Sequence, residues 1–237
     1  MAKDFDYKIM RVFSVVLFGT LIFTVLKLVL WLFQGSDGGL GVSIFQSSNA
    51  FMLSFFFLED LAVIGVFFCV YRMAGFNVWF DISGTMFLCL LFSEVITVVV
   101  EWLLDYMDDK TLGIVILYTL EVLPQIFLML GVLFILNGVI QIQKEMKAGS
   151  QKILQSRKLR LYWVFGGAVG FLASLIQRLF NVADLSPSVQ LYIKLGAAML
   201  IAFYLVICIW LSISIRGFCH EYYMYRYNRG IGGGSGD

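Results

Sequence analysis

Long apolar runs, each broken by a short polar turn, follow one another from end to end of this chain. Six runs, at 9–33, 51–73, 78–104, 112–141, 161–183 and 189–215, reach or exceed the roughly 20 apolar residues that a helix needs to cross a hydrocarbon layer. Strict apolar–polar alternation is missing, so strands are not expected. A lone helix also satisfies its own backbone groups where water is excluded. Gln34-Gly35-Ser36-Asp37-Gly38-Gly39 closes the first run, and Asp184-Leu185-Ser186-Pro187 separates the fifth from the sixth. The pattern predicts an all-α fold: a six-helix transmembrane bundle forming a single domain over 1–231. The glycine-rich 232–237 reads as a linker or tag remnant.

Composition agrees with that pattern. Of 237 residues, 60% are hydrophobic and 14% charged, with a mean hydropathy of +0.89. Soluble domains carry about a quarter charged residues, so a water-soluble fold of this content would expose a large apolar surface. The amino-terminal run is too long for a cleaved signal and reads as the first span.

Lysine and arginine set the orientation. One set of connections holds Lys3, Lys8, Arg11, Arg72, Lys144, Lys147, Lys152, Arg157, Lys158, Arg160, Arg216, Arg226 and Arg229. The opposite set holds Lys110. Both termini are therefore expected on the cytoplasmic side of a plasma (inner) membrane, a pattern that suits a bacterial cell. The basic connection 142–160 reads as a positive-inside loop, with an amphipathic helix on an anionic leaflet as the alternative. The tyrosine-rich tail from Arg216 to Arg229 suits an interfacial belt.

Charges inside spans are costly and usually face a bundle interior or water. Glu59, Glu94 and Glu121 each lie about nine or ten positions from the outer ends of the second, third and fourth spans, roughly 13–15 Å down at the helical rise. Asp60 adjoins Glu59 but points about 100° away, so both cannot face one narrow lumen. Lys27, Arg178 and Lys194 lie nearer the outer ends of the first, fifth and sixth spans. Thr97, Glu101 and Asp105 continue from Glu94 along one helical face toward the acidic loop Asp105-Tyr106-Met107-Asp108-Asp109, an acidic track suited to collecting cations. Pro124 interrupts the fourth span between Glu121 and Gln125, freeing a carbonyl of the kind that lines ion cavities. Gly166, Gly170 and Ser174 form a small-residue stripe that permits close helix packing.

These residues predict a small channel or transporter that moves a cation or protons. Glu59, Glu94, Glu121 and Gln125 form its site, Glu101 and Asp105 its entry, and Lys27, Arg178 and Lys194 compensate charge. The competing expectation is a non-catalytic membrane subunit, an anchor, sensor or defence or stress effector for a partner protein, whose intramembrane charges are structural ion pairs. A lipid-handling role for the outer basic layer is a third. A homo-oligomer or a complex subunit in the lipid bilayer suits either of the first two.

Enzymatic, cofactor and metal chemistry find no motif, and a net charge of +1 gives no footprint for nucleic acid. One histidine, His220, and four scattered cysteines leave no metal or redox spacing. Six spans, with Lys194 near an outer end, do not fit a retinal photoreceptor.

Overall fold

The computed structural model describes residues 2–33, 49–74, 77–104, 110–182 and 187–232. Among these the chain is all-helical, with six helices and no strand. They are α1 (Ala2–Phe33), α2 (Asn49–Ala74), α3 (Val78–Leu104), α4 (Lys110–Glu145), α5 (Ser150–Val182) and α6 (Pro187–Gly232). Each helix corresponds to one predicted apolar run. Val78–Thr97, Leu123–Glu145 and Ser188–Tyr225 are long and apolar enough to cross a membrane. The turns at 34–39, 105–109 and 183–186, and residues 233–237, lie outside the described residues.

Neighbours in sequence pack as neighbours in space, and α6 returns against α1 to close a ring of six. The pairs are antiparallel, as short connections require. Ser83 of α3 donates to the Gly131 carbonyl of α4 at 2.8 Å inside the interface. One turn either side, the Phe87 ring lies against Gly131 and the Phe80 ring against Gly138. A Cβ on Gly131 would stand 2.9 Å from the Phe87 ring, and one on Gly138 would stand 3.2 Å from Phe80. Both rings are fully buried. Glycine suits both positions because it lets the helix backbone approach a buried aromatic ring closely.

The same device closes the α5–α6 interface. Ile207 occupies the notch at Gly166, and the Tyr204 ring lies over Gly170. The expected small-residue stripe therefore packs against α6; the Ser174 side chain lies outside the described set. Trp163, wholly buried, donates its indole N–H to the Met129 carbonyl of α4 at 2.9 Å. A buried indole without such a partner would carry a desolvation cost of about 1–3 kcal/mol.

The basic connection differs from the expected loop. Helix α4 runs on to Glu145, and α5 begins at Ser150, leaving a four-residue link. Lys147 takes a left-handed conformation, φ 52°. Its N–H bonds to the Lys144 carbonyl, and the Ala148 N–H to the Gln143 carbonyl. These bonds form a Schellman stop, which satisfies two terminal carbonyls. Residues 150–160 then form the first turns of α5, because their Gln, Lys, Leu and Arg residues are good helix formers. The tail likewise continues α6, whose 46 residues extend over roughly 69 Å. Lys152 and Glu221 meet at 2.7 Å and tie the two extensions together.

Candidate functional site

Backbone register fixes the level of each expected site residue. On α3 and α4, each step forward on one helix matches a step back on the other. Starting from Ser83 and Phe87 against Gly131, Glu94 comes level with about position 122, beside the backbone of Glu121. The Val70 side chain lies against Gly84, which brings Glu94 level with about position 60 of α2. Glu94 lies eleven residues beyond Ser83 and seven beyond Phe87, on the face of α3 that packs against α4. It is half-buried and has an interaction partner.

Gln125 is half-buried on α4, one residue beyond Pro124, which stands inside the helix. Proline's missing N–H leaves the Leu120 carbonyl without its usual helical donor. Lys194 is half-buried on α6 and also has an interaction partner. The side chains of Lys27, Glu59, Glu101, Glu121 and Arg178 lie outside the described set, as does Asp105 altogether. Asp60 is exposed on the outer surface of α2.

The polar stripe below Glu94 is tied to its own helix. The Thr97 hydroxyl donates to the Ser93 carbonyl at 2.8 Å and the Ser93 hydroxyl to the Leu90 carbonyl at 2.7 Å. Such back-bonds satisfy a hydroxyl without water. Thr20 and Ser212 bond likewise to Val16 and Cys208.

Two buried amides were not anticipated. Asn77 caps α3: its Oδ1 accepts from Trp79 N–H at 2.9 Å, and its carbonyl from Phe80 N–H at 3.0 Å. Its Nδ2, and the Oε1 of Gln143 on α4, are buried without a partner among the described residues. Asn before an apolar run is a readable cap signal. Gln143 stands in a basic run where nothing marks it as buried.

Cys69, Cys208 and Cys219 are buried and Cys89 half-buried, and none of them is in a disulfide. Cys219 is thus enclosed while its neighbour His220 is exposed. Among the described residues, no three His, Cys, Asp or Glu groups converge as a metal-ligand set.

An aromatic level marks the basic end of the bundle. Tyr162 of α5 meets Trp210 of α6 at 5.3 Å between ring centroids, and both are exposed. Trp79 of α3 stacks on Phe134 of α4 at 6.0 Å. The Val70–Gly84 contact brings exposed Tyr71 of α2 to the same level. Arg11, Arg72, Asp81 and Arg160, all exposed, lie close to it; Arg160 donates to Asn137 at 2.8 Å. Beyond this level, on the side of Glu94, the outer surface is apolar apart from Asp60: Phe68, Phe92, Val95, Leu172, Met199 and Val206 are all exposed.

No protein family, curated protein or solved structure matches the chain.

Proposed function

We propose that all six helices cross a bilayer, with both termini on the basic side, and that the protein moves a cation or protons through intramembrane carboxylates. Support for the first part comes from the outer surface. Exposed aromatic rings and arginines at one level, followed by an exposed apolar band, match the sequence of environments from headgroups to hydrocarbon. Water would disfavour so much contiguous apolar surface.

One observation carries the second part: the backbones of positions 59–60, 94 and 121 share a level. Glu94 lies eleven residues beyond Ser83, or roughly 16 Å from the aromatic level, close to half of a hydrocarbon layer about 30 Å thick. Glu59, Glu94 and Glu121, with Gln125, are assigned as the ion or proton site, and Glu101 and Asp105 as its entry. Lys27, Arg178 and Lys194, nearer the acidic end, compensate charge when the site is empty. No catalytic role is assigned.

Flux assays on the purified chain in liposomes test this. The expected result is cation or proton flux that Glu94→Gln and Glu121→Gln reduce at least about tenfold, a barrier change of about 1.4 kcal/mol. Absence of flux in the unaltered chain, with both variants folding normally, rules out transport. Unfolding of both variants would favour structural ion pairs instead.

The helical extensions of α5 and α6 favour a second reading, a membrane subunit for a partner protein. Their exposed Lys152, Arg157, Lys158 and Arg216 form a basic helical surface beyond the aromatic level. Under this reading the chain alone passes no ions, and an acidic partner binds these extensions.

A further inference from the structure

Asp60 lies exposed on α2 between Leu58 and Leu61, with Phe68 two turns away; all three apolar neighbours are exposed as well. The contact of Val70 with Gly84 brings Asp60 level with Glu94, which stands roughly 16 Å from the aromatic level. Among the described residues, Asp60 is the exposed charge of the apolar band. An ionised carboxylate facing hydrocarbon is strongly disfavoured, and the neutral acid is the form such a position tolerates.

The helices packed on α2 offer it little. At this level α1 presents Leu21, which is buried in the core. Helix α3 carries Glu94 on its α4-facing side. The side chains of Lys27 and Glu59 lie outside the described set.

We propose that Asp60 presents its carboxyl to the hydrocarbon on the outer face of the bundle, a lipid-side site open to hydrophobic carbodiimides and closed to soluble ones. This rests on the membrane reading above. Its chain neighbour Glu59 belongs to the proposed interior site. In the labelling reaction, the carboxyl oxygen adds to the central carbon of the carbodiimide, and the acid proton passes to one of its nitrogens. The acyl group then migrates from oxygen to nitrogen. Nothing leaves, and the resulting N-acylurea carries the full mass of the reagent.

The test uses the full chain in phosphatidylcholine liposomes. One sample receives dicyclohexylcarbodiimide, the other a water-soluble carbodiimide with an amine nucleophile, and adducts are located by peptide mass spectrometry. Glu145, exposed beyond the aromatic level, reports reaction in water. The expected result is an adduct on Asp60 from the hydrophobic reagent alone, with Glu145 labelled by the soluble one. Asp60→Asn loses the Asp60 adduct and Asp60→Glu keeps it. Because the adduct is located in the unaltered chain, poor folding of a variant does not remove the answer. Labelling of Asp60 by the soluble reagent to the extent of Glu145 overturns both this inference and the membrane placement. Failure of both reagents at Asp60, with Glu145 labelled, overturns this inference alone, because the carboxyl is then not presented to the hydrocarbon.

Discussion

Glycines in this chain look alike in sequence and differ sharply in what surrounds them. Gly131 lies beneath the buried Phe87 ring, where a Cβ would come within 2.9 Å. The ring has no exposed side toward which to yield, so Gly131→Ala is expected to cost about 1–3 kcal/mol as overpacking does. Gly217, in the extension of α6, would meet nothing within 4 Å. Gly217→Ala is therefore expected to add about 0.5–1 kcal/mol, the helix-propensity difference. Denaturant or thermal unfolding of the two variants in one detergent checks both signs. Gly131 and Gly217 in exchanged roles would contradict the packing described.

At the scale of elements, the four-residue link between α4 and α5 turns on Lys147, which takes φ 52° without being glycine. A left-handed L-residue costs roughly 1–2 kcal/mol, part of which glycine's extra unfolded-state freedom offsets. Lys147→Gly is thus expected to raise stability by about 0.5–1 kcal/mol, read as a higher unfolding midpoint. The Lys152–Glu221 pair joins the extensions of α5 and α6 but is partly solvated, at 54% and 34% exposed. Solvent screening limits it to about 0–1 kcal/mol, so packing of Phe218 and Tyr222 is the larger tie there. Helix existence was legible in the apolar runs. The extension of α5 was not, because a run of Lys, Arg and Gln reads equally as a solvated loop or as good helix formers.

Across the whole molecule, the ring of six antiparallel helices makes the proposed topology directly measurable. In a cysteine-depleted chain, Arg157→Cys and Arg216→Cys are expected to react with a membrane-impermeant maleimide from one side, and Lys110→Cys from the other. Labelling of all three from the same side would exclude six crossings. Of the expected site, Glu94, Gln125 and Lys194 are described as half-buried on three different helices. Their spacing along the helix axes was legible by counting residues, because helical rise is nearly constant. Facing was not, because 100° per residue accumulates from an origin that packing sets.

The sequence by itself determined an all-helical chain, the approximate positions of six helices and the clustering of basic residues at one end. Each follows from local properties: run length, turn residues and charge. Tertiary structure alone decided which glycines carry interfaces, how α6 closes on α1, and that the basic segments are helical continuations of α5 and α6. It also left Asp60 exposed on α2. These outcomes depend on contacts between residues tens of positions apart, as between Ser83 and Gly131, and no local pattern encodes them.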